Sequence, residues 1–230
     1  PSVGATENAI LAACGAEGTT IISNAAREPE IVDLQDFLQK LGADVHGAGT
    51  STITVRGGGV RRGCVHRCIG DRIAAATYLC AAAAAGGQVT LRGVDYRHLA
   101  TVTTALGQAG CRLQCTEDSI TLESDGRLRA IPPVRTSPYP GFPTDAQAPL
   151  MAALLRSEGA VMFVENMFDS RYRHVPELVR MGADIRLEGR VAVVYGTREL
   201  HGAAVRCTDL RGGAALAIAA LQTPDATLIH

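Results

Sequence analysis

The residues best suited to chemistry lie in YPGFPTDAQ, residues 139–147. Asp145 falls in what reads as the first turn of a helix, and five of the ten prolines lie between Pro132 and Pro143. So stiff an approach fixes where the carboxylate points. A carboxylate within hydrogen-bond reach of a hydroxyl can take its proton in a transition state. The positive end of a helix favours its charged form, which keeps a base available but weakens it. Spacing alone leaves open whether Asp145 meets a substrate or only starts a helix.

Other groups offer narrower chemistry. Ser2, Val3 and Gly4 open a helix in SVGATENAIL. Free amides at a helix start bind phosphate, and Gly4 lets a ligand approach the backbone; a serine there is also an ordinary cap. Arg171 in DSRYRHV and Arg211 in TDLR carry guanidinium groups that pair with carboxylate or phosphate, the plain alternative being surface ion pairs. Asp209 could hold Arg211 or meet a substrate. His174 in RHVPE reads as a helix-start hydrogen bonder rather than a catalyst.

The seven cysteines, at positions 14, 64, 68, 80, 111, 115 and 207, are odd in number and irregular in spacing. Free thiols in a reducing cytoplasm are expected. Cys64, His66 and Cys68 would share one face of a strand, but they match no finger pattern and lack a fourth ligand, so no metal site is expected. Cys115, in RLQCTED, reads as a packing residue.

The elements that must position these groups recur along the chain. FLQKLGADVHGAGTSTITV (37–55), ALGQAGCRLQCTEDSITL (105–122) and LVRMGADIRLEGRVAVV (178–194) each run from a helix end through a glycine into two strands. Gly42, Gly110 and Gly182 sit where a left-handed helix cap is favoured. Upstream, AEGTTIIS (16–23), AAGGQVTLRG (84–93) and SEGAVMFVE (157–165) each follow a first helix. Every unit reads helix–strand–helix–strand–strand, an α/β pattern. A fourth start, TDLRGGAALAIAAL (208–221), leads to ATLIH (226–230). That last unit lacks a second helix and a hairpin, so a piece of a longer protein is expected. Segments 56–70 and 124–144 are long connections of the kind that link domains or serve function.

Composition excludes several classes. Lys and Arg number 22 against 23 Asp and Glu, which argues against a nucleic-acid footprint. The apolar runs are too short to span a bilayer, so no membrane association is expected. With 4% aromatics and no Trp, the core must be built from Ala, Leu, Ile and Val.

NAAREPEIVDL (24–34), SVGATEN (2–8), GFPTDAQA (141–148), SRYRHVPELVRMGAD (170–184) and CTDLR (207–211) together carry a family resemblance. Over essentially its whole length the chain resembles the UDP-N-acetylglucosamine 1-carboxyvinyltransferase family, the enolpyruvyl transferases that open peptidoglycan synthesis. The resemblance implies two globular domains of three such units each, of the inside-out α/β barrel type. Residues 1–68 would form the last unit of the first domain. Residues 69–230 would form most of the second, as units 69–140, 141–206 and a partial unit 207–230.

The implied reaction moves the enolpyruvyl group of phosphoenolpyruvate to the sugar 3-hydroxyl of UDP-N-acetylglucosamine and releases phosphate, without a cofactor. Asp145 would meet that hydroxyl at the domain cleft. Pro1, Ser2, Val3 and Gly4 would contact the uridine diphosphate portion, and Met167 the amino sugar through its backbone. Arg171, Asp209 and Arg211 would line the cleft, while Arg27 and Glu28 are structural signatures. The acid cysteine and the phosphoenolpyruvate clamp would lie outside these 230 residues, so the chain alone is expected to be inactive and to self-associate through uncovered faces. Ala74, Ala75, Tyr139, Ser170, Arg173, Gly212 and Gly213 depart from the family pattern and bear on fine substrate contacts. The alternatives are a shikimate-type enolpyruvyl transferase and a non-catalytic repeat module binding ligand or RNA.

Overall fold

The computed structural model describes residues 1–230. By compactness the chain divides into two units, Pro1–Ile69 with Pro138–Pro140, and Gly70–Ser137 with Gly141–His230.

The first unit runs α1 (Val3–Gly15), β1 (Thr19–Ser23), α2 (Pro29–Lys40), β2 (Asp44–His46) and β3 (Thr52–Arg56). Proline at the start of α2 suits a position whose N–H has no helical partner. Gly42, at φ +91°, ends that helix in the left-handed region where a side chain would be strained. The strands form one antiparallel sheet in the order β1-β3-β2, with Thr19 opposite Arg56 and Val45 opposite Val55. Val45, Ile53 and Val55 point inward against Ile10 of α1 and Ile31 and Leu38 of α2.

The second unit repeats this plan twice. α3 (Arg72–Ala85), β4 (Gly87–Arg92), α4 (Ala100–Gln108), β5 (Arg112–Cys115) and β6 (Ser119–Ser124) give a sheet of order β4-β6-β5. After β7 (Val134–Arg135) come α5 (Thr144–Ala153), β8 (Ala160–Val164), α6 (Val175–Arg180), β9 (Asp184–Glu188) and β10 (Val191–Tyr195). Their sheet has the order β7-β8-β10-β9. In all three repeats the first strand pairs antiparallel with the third, which lies at the centre. The chain closes with β11 (Ala204–Val205), α7 (Leu210–Ala220) and β12 (Leu228–Ile229), β11 and β12 being parallel. The helix–strand–helix–strand–strand reading therefore holds, and so do the helix and strand of the fourth start.

Leu79, Cys80, Leu106, Leu122, Met151, Phe163 and Leu216 are among the side chains that form the continuous core of this unit. Alanine dominates α3, α5 and α7, which allows the close helix packing that a chain without Trp requires.

Two sequence expectations fail locally. Residues 60–71 form neither helix nor strand, so Cys64, His66 and Cys68 do not alternate on a strand face. The stretch spends backbone donors on the end of α2 instead, Arg61 and Arg62 both donating to the Leu41 carbonyl. The second failure is β7, absent from the sequence reading. It pairs parallel with β8, placing Val134 opposite Phe163 inside the proline-rich connection.

Candidate active site

Asp145 stands in the first turn of α5, where Pro143 is the cap residue and makes no side-chain capping bond. The prolines alone do not fix its position. Thr136 donates its backbone N–H to the carbonyl of Val164 at 3.0 Å, and Ser137 donates to Phe142 at 3.1 Å. The loop is thus pinned to β8 on one side and closed on itself just before the helix. Farther along α5, Pro149 has no N–H for the carbonyl four residues back, which belongs to Asp145.

A buried carboxylate completes the platform. Glu165, at the end of β8, has no solvent exposure. One of its oxygens accepts from Thr136 Oγ1 at 2.9 Å and from the amides of Met167 and Phe168 at 2.8 and 3.1 Å. The other accepts from Thr144 Oγ1 at 2.9 Å. Neutral donors alone surround it, and they come from the proline loop, the start of α5 and the turn after β8. Burying a carboxylate is costly unless its lone pairs are met in this way. Sequence reasoning missed Glu165; the available signal was a charged residue directly after the apolar run AVMFV.

Two arginines converge on Asp145. Arg171 Nη2 and Arg211 Nε both donate to Asp145 Oδ1, the second at 3.1 Å. Arg171 also lies 5.2 Å from the Phe168 ring centre, and its Nε is buried without a hydrogen-bond partner. The Asp145 side chain is 41% exposed, against 19% and 26% for the two arginines. The carboxylate is therefore reachable from solvent while its cations are held from behind. Asp209 does not touch a cation here. It caps α7, accepting from the amides of Arg211 at 3.0 Å and Gly212 at 2.9 Å. That cap fixes the turn from which Arg211 projects.

His174 is fully buried beside this group, and neither ring nitrogen has a hydrogen-bond partner. Its backbone carbonyl accepts from Glu177 and Leu178, each at 3.1 Å. The side chain thus plays no hydrogen-bonding part at the helix start, contrary to the sequence expectation. Burial pulls the imidazole down to about 4, outweighing the Asp209 carboxylate, which pulls upward. His174 is neutral at pH 7.

Met167 lies half-buried in the turn held by Glu165, its N–H spent on that carboxylate. In the first unit, Ser2 caps α1 by accepting from Ala5 N at 3.4 Å. Pro1, Ser2 and Gly4 are exposed, Val3 is half-buried, and a side chain at Gly4 would meet nothing within 4 Å. Asp145, Arg171, Arg211 and Asp209 are thus gathered in one place, with Met167 in the turn that shares their Glu165 support.

The sequence model of the EPSP synthase (3-phosphoshikimate 1-carboxyvinyltransferase) family matches residues 1–230, and the chain belongs to that family. It is 48% identical over 229 residues to the UDP-N-acetylglucosamine 1-carboxyvinyltransferase of Zymomonas mobilis, covering 100% of this chain and 54% of that protein. It is 47% identical over 230 residues to UDP-N-acetylglucosamine 1-carboxyvinyltransferase 2 of Caldanaerobacter subterraneus, covering 100% and 55%. The chain spans about half the length of the curated relatives it matches. Among solved structures, the enolpyruvyl transferase NikO of Streptomyces tendae matches with a TM-score of 0.88 and 28% identity, over 99% of this chain and 54% of that one. An EPSP synthase of Acinetobacter baumannii matches at 0.70 with 22% identity, over 100% and 56%, and shows the shared fold. The α/β repeat class and the likeness to UDP-N-acetylglucosamine 1-carboxyvinyltransferases, both read from the sequence, are borne out.

Proposed function

We propose that the chain supplies the sugar-side half of an enolpyruvyl transfer. The enolpyruvyl group passes from phosphoenolpyruvate to the 3-hydroxyl of UDP-N-acetylglucosamine, and phosphate leaves. The observation that carries this reading is Asp145 held between Arg171 and Arg211 in a chain 45–48% identical to transferases of that name. The much lower identity to a shikimate-type enzyme, 22%, favours the sugar nucleotide over shikimate 3-phosphate.

Asp145 is the proton acceptor. As the hydroxyl oxygen bonds to the enolpyruvyl carbon, its proton passes to the carboxylate. Oδ1 is occupied by two cations in the ligand-free chain, and an arriving phosphate or carboxylate competes for those cations. Substrate anions thereby free the base at the moment it is needed. Met167 offers backbone contact to the amino sugar from the turn braced by Glu165. Pro1, Ser2, Val3 and Gly4 present the start of α1 to the diphosphate. Asp209 acts through Arg211 rather than on the substrate.

No cofactor enters this scheme, and we place the reaction in the cytoplasm as a step of cell-wall synthesis. All seven cysteines are free, which suits a reducing compartment, and no helix is long and apolar enough to cross a membrane. The 230-residue chain alone binds without turning over, because a base without the phosphate-side groups cannot assemble the reacting geometry. The test is phosphate release from phosphoenolpyruvate with UDP-N-acetylglucosamine, alongside calorimetric binding of the sugar nucleotide. Binding without release, with the binding weakened in Arg211→Ala, is the expected result. Absence of sugar-nucleotide binding would overturn the assignment.

A further inference from the structure

The loop after β3 folds back onto α2. Arg61 and Arg62 donate their backbone N–H groups to the Leu41 carbonyl at 3.0 and 3.2 Å, and Arg62 Nε reaches the Lys40 carbonyl at 2.8 Å. That anchoring lays His66 along one face of the helix. Asp33, Phe37 and Lys40, at positions i, i+4 and i+7, all touch its ring. His66 Nε2 lies 3.0 Å from Asp33 Oδ1, Nδ1 lies 3.0 Å from Lys40 Nζ, and the Phe37 ring packs at 5.4 Å. The imidazole is only 8% exposed. Two residues on, the exposed Cys68 thiol returns to the same point. One ligand atom each from Asp33, His66 and Cys68 falls within 4.8 Å of the others.

We propose that Asp33, His66 and Cys68 form a binding site for a thiophilic divalent transition ion of the zinc class. The donor set is one carboxylate oxygen, one imidazole nitrogen and one thiolate, which suits zinc or cobalt and excludes calcium and magnesium. Ligand atoms about a tetrahedral ion are roughly 3.3–3.8 Å apart, given bonds of about 2.0–2.3 Å. The oxygen and nitrogen stand at 3.0 Å and need to open only slightly, while the exposed cysteine, whose sulfur lies within 4.8 Å of both, closes the remainder. Three protein ligands leave one coordination position for water or an outside donor. Cys64, which the sequence grouped with His66 and Cys68, is not a member; Asp33 from α2 takes its place.

The protons balance simply. An ammonium can only donate, so without metal His66 accepts from Lys40 at Nδ1 and carries its hydrogen on Nε2, facing Asp33. Metal binding needs the lone pair at Nε2. The hydrogen then resides on Nδ1, Cys68 gives its proton to solvent, and the exposed Lys40 ammonium withdraws. Lys40 therefore opposes the ion, both by charge and by holding the wrong tautomer. The site rests on its own geometry and does not depend on the proposed transferase reaction.

Titrating the reduced 230-residue chain with Co2+ tests the proposal. The expected result is one ion per chain, a sulfur-to-cobalt charge-transfer band in the near ultraviolet, and visible bands as intense as tetrahedral cobalt gives. Zn2+ should displace it. Cys68→Ser should abolish the charge-transfer band, and Asp33→Asn should weaken binding at least about tenfold. Cys64→Ser should change neither. Lys40→Met should tighten binding roughly threefold to tenfold. Because Cys68 is exposed, its substitution should leave the unfolding midpoint in place, which separates ligand loss from misfolding. No charge-transfer band in the parent chain, or a band that survives Cys68→Ser, would overturn the site.

Discussion

Glu165 Oε2 accepts the hydroxyl hydrogen of Thr144 at 2.9 Å, one residue before Asp145. A fully buried carboxylate thus braces the neighbour of the proposed base, while its other oxygen gathers three donors from two further segments. Glu165→Gln puts an NH2 group where only donors point. The variant should lose about 1.5–3 kcal/mol in urea unfolding, the scale for hydrogen bonds to a charged group. Thr144→Val removes one donor to the same buried carboxylate and should also lose about 1.5–3 kcal/mol. An unchanged midpoint in Glu165→Gln would show that the carboxylate does not hold the turn together.

Asp145 and its arginines should respond differently. The carboxylate is 41% exposed, so Asp145→Ala should shift stability by less than about 1 kcal/mol. It should instead release two guanidinium groups for anions. Phosphate, followed by phosphorus NMR line broadening, should bind Asp145→Ala more tightly than the parent chain and Arg171→Ala more weakly. Equal binding in all three would remove the competition on which the proposed freeing of the base depends.

His174 links stability to acidity. Its folded value near 4 lies below the unfolded value near 6.5, so the unfolded chain binds more protons between those limits. The stabilisation is complete above about pH 6.5 and is lost as pH falls toward 4, with a full span of about 3 kcal/mol. His174→Leu should flatten the fall in urea midpoint over that window. A variant whose midpoint declines as steeply as the parent's would assign the acid sensitivity elsewhere.

The repeats make a paired prediction about backbone crowding. Gly57 follows β3 and donates to Gly18, while Gly196 follows β10 and donates to Gly159. A Cβ at Gly57 would sit 1.7 Å from the Ala16 carbonyl oxygen, and one at Gly196 would sit 1.6 Å from that of Ser157. Alanine at either position should cost more than about 2 kcal/mol, because backbone rather than a flexible side chain must move. Gly4→Ala, with nothing within 4 Å, is the control and should be nearly neutral in thermal unfolding.

The repeated fold was legible because it is written in local terms. Helix-ending glycines such as Gly42 and Gly182, the alternation in TITVR and the β-branched run in VAVVY announce their elements wherever they occur. Asp145 and Arg211 could be singled out from the sequence because each stands in a short distinctive stretch, FPTDAQ and TDLR, and the structure brings the two side chains together. The site was not legible where the role arises by long-range approach. Val134–Arg135 is too short to show periodicity and becomes a strand only by lying beside β8. Glu165 gains meaning from Thr136 and Thr144, and Asp33 from a loop that returns after β3. The His174 ring nitrogens have no hydrogen-bond partner, a property that no spacing encodes.

The strand order shared by the three sheets also sets a timetable. In each repeat the first strand to leave a ribosome pairs with the last: Thr19 waits for Arg56, Gly87 for Ser124 and Ala160 for Tyr195. No repeat can close its sheet until its final hairpin strand has emerged. Such non-local closure slows folding and leaves early strands without partners. Nascent β1 and β4 therefore stay unpaired for the time needed to synthesise the rest of their own repeats, whereas β8 emerges after β7 and can pair with it at once.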